Sequence, residues 1–374
     1  MHDQLTDDQQ LFLDTSVRFL ENTTSLDARR AIDVVEPLDR TWWQRAAELG
    51  WTGLLVPDEY GGGSVSGAGL VDLGLVAREV GRSVAPGALL ATSVVANTVA
   101  VRGSATQRDA VLPGIVSGSI IAAWCCDGFD AAGAVMPASM MAHRTSGGLR
   151  LQGSAAHVES APDANLLLIT ATLDGGLVQA LVHAGTVGVH VAPARSLDLG
   201  RSFGAVRCDD VLVPEADIVG DAGDTVEVVE RQLDLAAVLI CCEAVGAAER
   251  AFQFTLEYLN DRSTFGRVLA SYQALKHRVA DMAVHLEGSA AIVDDALAAL
   301  SATRPDARRT VSAAKSYIGD HLPYLLQECV QLHGGIGLTW EHDLHLLLRR
   351  VTLSRVLYGS PTTHRERITA SLAI

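Results

Sequence analysis

Basic residues are outnumbered in this 374-residue chain: 29 lysines and arginines stand against 44 aspartates and glutamates, a formal net charge of −15. That deficit argues against a nucleic-acid partner, because phosphate binding needs a positive surface. No apolar run approaches the roughly eighteen residues of a membrane span; the densest, Leu235 to Cys242, is less than half of that. Cysteine is limited to six, with no Cys-x-x-Cys and no Cys/His spacing suited to a metal. The adjacent pairs Cys125-Cys126 and Cys241-Cys242 lie in apolar runs and read as buried free thiols in a reducing compartment. The opening Met1-His2-Asp3-Gln4 is polar and unlike a secretory or transit peptide, so a cytoplasmic location is expected. Aromatics are also few, at 5%, whereas alanine, valine and leucine are plentiful. Such a composition suits close-packed helices, and the length suits two or three domains.

Periodicity divides the chain into three regions: 1–118, 119–222 and 223–374. In the first the apolar spacing is helical, with one stripe through Leu11, Leu13, Val17, Phe19 and Leu20 and another through Leu70, Leu73, Leu75, Val76 and Val80. Between them Val56-Pro57-Asp58-Glu59-Tyr60-Gly61-Gly62-Gly63 predicts a loop with unusual backbone angles. In the second region, short runs such as 165–171 and 188–193, bounded by Gly, Pro and Asp, read as strands. In the third, Leu233 to about Asp261 is apolar on more than one face and predicts a central bundle helix. Further helices are expected over 272–299, 311–332 and 343–357, making an antiparallel four-helix bundle. The fold class is mainly α with a small β domain in the middle.

Two motifs carry the chemistry. Arg262-Ser263-Thr264-Phe265-Gly266 closes the long helix and is followed by Gln273-Ala274; Gln331-Leu332-His333-Gly334-Gly335-Ile336-Gly337 comes about sixty residues later. A guanidinium just past a helix end can pair with a pyrophosphate in a forked geometry, and an aromatic face can meet a flat ring. Paired glycines where a helix stops expose backbone amides to a close ligand. Together, RxxFG…xxQA…QxHGGxG resembles the signature of the acyl-CoA dehydrogenase family, and 49–63 resembles its "ELGW-G-VPEEYGG" loop. The resemblance covers essentially the whole chain. It implies an N-terminal α domain, a middle β domain and a C-terminal four-helix bundle. It further implies FAD as cofactor, an acyl-CoA thioester as substrate, and an electron-transfer flavoprotein as acceptor. Arg262, Thr264, Phe265, Gln273, Gln331 and Gly335 match positions that reach across a dimer interface to the neighbour's FAD.

Other positions depart from the family pattern. The β-domain "TEPxAGSD" is replaced by Trp124-Cys125-Cys126-Asp127-Gly128-Phe129-Asp130-Ala131-Ala132-Gly133, and "W-I-T" by His157-Val158-Glu159. An anionic Glu159 beside a reduced flavin is electrostatically unhelpful. The half-site that reaches outward is therefore intact, while the half that cradles the chain's own flavin is eroded. Two assemblies follow: a heterotetramer with a paralogous dehydrogenase subunit, as in actinobacterial relatives acting on steroid side-chain thioesters, or a homotetramer with a divergent pocket.

The base is the open question. Removing an α-proton from a thioester calls for a carboxylate in a dry pocket. The family most often supplies it in Tyr-Glu-Gly near the C-terminus, where this chain has Tyr358-Gly359-Ser360. Relatives that place it on the long helix do so near Ala236, again without a carboxylate. Seven residues on, about 700° of helix later and ~10 Å along the axis, Glu243 points the same way. Its apolar setting makes it the base candidate; the alternative is a buried carboxylate paired with an arginine of a neighbouring helix. Glu249 and Glu230 read as solvated charges, and His364 as a surface histidine. Gly246, Ala247 and Ala248 hint at room for a bulky acyl group or serve close helix packing. A non-catalytic subunit completing another chain's FAD site, and a related flavin oxidase chemistry, are the remaining readings. No metal is expected.

Overall fold

The computed structural model describes residues 5–31, 37–220 and 223–372. In chain order the elements begin with six helices: α1 (Asp7–Thr23), α2 (Leu26–Arg30), α3 (Arg40–Glu48), α4 (Gly69–Arg82), α5 (Leu89–Arg102) and α6 (Ala105–Val116). Eight strands follow: β1 (Ala122–Cys125), β2 (Met141–Thr145), β3 (Gly148–Glu159), β4 (Leu166–Leu173), β5 (Gly176–His183), β6 (Val189–Ala194), β7 (Phe203–Pro214) and β8 (Ile218–Val219). The remainder is α7 (Thr225–Asp261), the hairpin β9 (Ser263–Thr264) and β10 (Arg267–Val268), then α8 (Gln273–Ser301), α9 (Ala307–His333), α10 (Leu344–Val356) and α11 (Pro361–Ser371). The mainly helical class with a β middle is as expected, and α11 is an element the periodicity did not resolve. No helix among the described residues is long and apolar enough to cross a membrane.

Two compact units emerge. One comprises Met1–Asp33, Gly74–Ala85 and Ala237–Ile374; the other comprises Val34–Leu73 and Pro86–Ala236. The helical unit follows from its caps and stripes. Thr6 and Gln9 form a capping box that starts α1. Of the stripe predicted on that helix, Leu13, Phe19 and Leu20 are buried, but Leu11 is exposed because it lies on the opposite side of the helix. The long helices α8 and α9 run antiparallel and are joined by Arg278–Glu328. Where α4 crosses α7 the backbones nearly touch. A Cβ on Gly81 would lie 2.0 Å from the Glu243 carbonyl oxygen, and one on Gly246 would lie 1.8 Å from that of Arg78. Gly246 is therefore consumed by helix packing, which corrects the idea that it leaves space for an acyl group.

In the other unit the sheet order is β6-β7-β3-β2-β4-β5-β8, with β1 pairing parallel to β4. β4, a nearly unbroken apolar run, is buried at all but one position, as an interior strand should be. β3 carries two register shifts, between Leu151 and Gly153 and between Ala155 and Val158. The second is a bulge in which His157 adopts φ 58°, so that the consecutive residues Val158 and Glu159 both end up buried. In the loop of 56–63, a Cβ at Gly62 would lie 2.2 Å from the Val56 carbonyl, so only glycine fits.

Candidate active site

The Arg262–Gln273 segment presents its polar and aromatic groups outward. β9 and β10 pair in register, Thr264 opposite Arg267, leaving Phe265 and Gly266 as a two-residue turn with φ 53° and 78°. Positive φ at both centres is the turn that matches the right-handed twist of a hairpin; glycine takes it freely, and phenylalanine only at a cost. Phe265 is 94% exposed. The loop is tied back by the Leu269 N–H to the Arg262 carbonyl at 2.8 Å and by the Tyr272 hydroxyl to the Thr264 carbonyl at 2.8 Å. Arg267 lies over the Tyr272 ring, 3.8 Å from its centre. The Arg262 guanidinium, by contrast, is exposed and makes no hydrogen bond or ion pair among the described residues. Gln273 opens α8, also exposed.

The second motif ends α9. Gly334, at φ 64°, stops the helix, and a Cβ built on either Gly334 or Gly335 would meet nothing of this chain within 4 Å. Gln331 is exposed as well. Four residues before Arg262, Tyr258 stacks on His333 with ring centres 4.5 Å apart, which brings the ends of α7 and α9 together. Burial lowers the pKa of His333. The six residues Arg262, Thr264, Phe265, Gln273, Gln331 and Gly335 thus lie at helix ends and the intervening hairpin. Four of their side chains, those of Arg262, Phe265, Gln273 and Gln331, are exposed and make no hydrogen bond or ion pair among the described residues.

Glu243 has a different environment. It is 3% exposed on α7, with Oε2 3.5 Å from Nη1 of Arg350 on α10. Arg350, itself 1% exposed, also donates to the carbonyls of Val80 at 3.2 Å and Ala85 at 3.1 Å. The carboxylate therefore faces a guanidinium already fixed by the end of α4. Glu249, expected in solvent, pairs with Arg78.

Gly359 lies between α10 and α11, in a turn where Tyr358 and Gly359 have φ 56° and 102°. His364, expected at the surface, is fully buried; its Nε2–H donates to the Tyr358 carbonyl at 2.9 Å. Since a carbonyl can only accept, Nδ1 is the acceptor, receiving the Ser312 hydroxyl at 3.2 Å. Lys315 was not foreseen. It stands at 1% exposure and donates to the carbonyls of Arg355 at 3.0 Å and Gly359 at 2.8 Å. The available signal was a lysine on the apolar stripe of Val311, Ile318 and Leu322.

In the sheet unit, Glu159 is closed off by Arg201, and Asp198 lies 3.6 Å from the same guanidinium. All three are buried. Glu159 is therefore part of an internal charge cluster instead of a free anion, which removes the electrostatic objection raised from sequence. Cys125 is buried, and burial raises its thiol far above the ordinary range. The neighbouring Cys126 is pushed up to about 12 for the same reason. Among the described residues no metal-ligand cluster occurs.

A model described as the acyl-CoA dehydrogenase N-terminal domain matches residues 6–119, and one described as the C-terminal domain matches 223–373. The chain belongs to the acyl-CoA dehydrogenase family. Acyl-CoA dehydrogenase IpdE2 of Mycolicibacterium smegmatis is 26% identical over 370 residues, spanning 98% of this chain and 100% of that protein. Butyryl-CoA dehydrogenase from Megasphaera elsdenii has the same fold, with a TM-score of 0.89 at 23% identity over 99% of each chain. A variant of the steroid ACAD Tcur3481-Tcur3483 gives 0.86 at 26% identity over 98% of each chain. Membership makes the chain an oxidoreductase by class, acting on CH–CH donors. As for FAD, the outward residues suit a pyrophosphate and an aromatic ring arriving from outside: a guanidinium without a partner, an uncovered ring and open space above Gly335. In the sheet unit, Glu159 is sealed by Arg201 and is turned to the fold's own interior.

Proposed function

We propose that the chain is a subunit of an FAD-dependent enzyme that introduces an α,β double bond into an acyl-CoA thioester. In this reading it works together with a paralogous, unlike subunit and passes electrons to an electron-transfer flavoprotein. One observation carries the reading. Four of the side chains that the family pattern directs at a neighbour's flavin, those of Arg262, Phe265, Gln273 and Gln331, are exposed and without a partner among the described residues, and positions 236 and 359 carry no carboxylate. Bound FAD would accept the β-hydrogen as hydride. Arg262 would bind its pyrophosphate, Phe265 and Thr264 would flank it, and Gln273, Gln331 and the Gly335 backbone would complete its contacts. Glu159 and Arg201 would keep the sheet unit folded. The likeness to a steroid ACAD supports a bulky acyl group such as a steroid side chain.

In this assembly the base comes from the partner, and Glu243 serves with Arg350 as a tie. A second reading keeps Glu243 as base, favoured by its being the one fully buried carboxylate of α7 after Ala237. Glu243→Gln separates them: loss of turnover with flavin retained supports the base, and turnover unchanged per folded enzyme removes it. Assembly is tested by the visible spectrum and flavin stoichiometry of the chain alone and co-expressed with an unlike paralogue. About one flavin per unlike pair and none alone supports the shared site. One per chain alone makes it a self-sufficient homo-oligomer. Flavin that is reoxidised by oxygen at full turnover would instead indicate an oxidase.

A further inference from the structure

One buried cluster is unused by this chemistry. Lys315 and His364 lie beneath the Leu357–Ser360 turn and between them hold three backbone carbonyls: that of Arg355 at the end of α10, and those of Tyr358 and Gly359 in the turn itself. The groups facing Lys315 are Cys241 of α7, Arg355 of α10 and His364 of α11; those facing His364 are Lys315, Arg367 and Ser312. No carboxylate pairs with Lys315 among the described residues. An ammonium buried without a counter-ion is expensive, and a non-glycine residue at positive φ, Tyr358, adds strain; both persist only where surrounding bonds over-determine the geometry.

We propose that Lys315 and His364 form a latch that positions the Tyr358–Ser360 turn, acting as positioning residues for the acyl-thioester site. The proposal rests on the dehydrogenase reading given above. Where relatives carry a glutamate side chain, this chain has Gly359, so its contribution there is backbone alone, and the path of that backbone is set from below. The carbonyls are drawn inward, while the N–H groups of Gly359 and Ser360 make no hydrogen bond among the described residues.

The latch has a pH dependence with a definite sign. Burial lowers His364 from 6.5 to about 3, so the opened turn binds a proton more tightly than the closed one. Acidification from pH 6.5 towards 3 therefore opens it, by up to about tenfold per pH unit. Burial likewise lowers Lys315 from 10.5 to about 8, so the closed turn gains as pH rises from 8 to 10.5.

Hydrogen exchange of the 353–364 peptide in the full chain tests the latch, since the Leu357 and His364 amides bond to the Leu353 and Ser360 carbonyls. Protection, corrected for intrinsic rates, is expected to be flat near neutrality and to fall as pH drops below 6.5. His364→Gln keeps an N–H donor for the Tyr358 carbonyl and should flatten the acid response. His364→Leu and Lys315→Met should exchange tenfold faster or more at pH 7. Wild-type protection in both variants overturns the latch; if Lys315→Met fails to fold, the His364 pair decides. In the flavin-loaded assembly, His364→Leu should lower kcat with KM within about twofold, and His364→Gln should restore it. A loosened turn with kcat unchanged removes the positioning role. No acyl-CoA-dependent flavin reduction by the wild-type assembly, with exchange as expected, refutes the dehydrogenase reading and leaves the latch standing.

Discussion

The hairpin at the end of α7 and the Glu159–Arg201 cluster in the sheet unit both occupy positions where the family pattern meets its cofactor, yet they handle polar groups in opposite ways. In the hairpin, Arg262 and Phe265 are exposed with no partner among the described residues, beside a backbone bent through two positive φ angles. In the sheet unit, Glu159 is turned inward by a bulge and neutralised by Arg201. A charge buried beside its counter-charge serves the fold, because removing either partner strands the other. Under the proposed function the first region would serve binding, whereas the second serves the fold.

Four experiments sharpen or break that contrast. The largest effect belongs to the internal charges. Arg350→Ala leaves Glu243 buried without its guanidinium and should cost about 3–5 kcal/mol in denaturant unfolding, while Glu243→Gln with Arg350→Met should recover much of it. Equal stability of the single variant and wild type would show that the pair carries no load. Arg262→Ala should do the reverse: no change in unfolding free energy, but a loss of one charge-assisted contact in the loaded assembly. That contact corresponds to about 1.5–3 kcal/mol, or roughly tenfold to a hundredfold in flavin affinity. A stability loss there would place the guanidinium inside the fold's own network. Third, acid should act on the buried side only. With His364 lowered from 6.5 to about 3, unfolding at pH 5 should require about 2 kcal/mol less than at pH 6.5, a difference erased by His364→Gln. The smallest change is at the hairpin tip. Phe265→Gly relieves a positive φ and should stabilise the chain by about 1 kcal/mol while weakening flavin retention. Retention unchanged would leave the exposed ring without a purpose.

Much of this was legible in the chain itself. The helical and strand regions follow from periodicity, and Arg262, Phe265, Gln331 and Gly335 were singled out by the resemblance of two motifs to a family signature, since a guanidinium, an aromatic ring and glycines at helix ends are common without any ligand. What stayed hidden depended on pairs distant in sequence. Glu243 could be read as base or as ion-pair partner, and the choice turns on Arg350, 107 residues away. His364 gave no sign of burial because its neighbours Thr363, Arg365 and Glu366 are polar, and the α11 stripe is too short to show a period. Lys315 did break an apolar stripe, but a stripe cannot say which carbonyls a buried lysine will find. Glu159 was misjudged because a bulge, which has no marker here beyond an ordinary residue at positive φ, turned it inward.

The crossing of α4 and α7 has a consequence for how this protein can change. Gly81 and Gly246 each sit where a single methyl group would collide with a carbonyl of the opposite helix. In a saturation-mutagenesis map these two columns should reject even alanine, while an exposed loop glycine such as Gly147, whose added Cβ meets nothing, should accept it. Lineages that take larger substrates must find their extra volume elsewhere, because at this crossing there is no smaller residue left to choose.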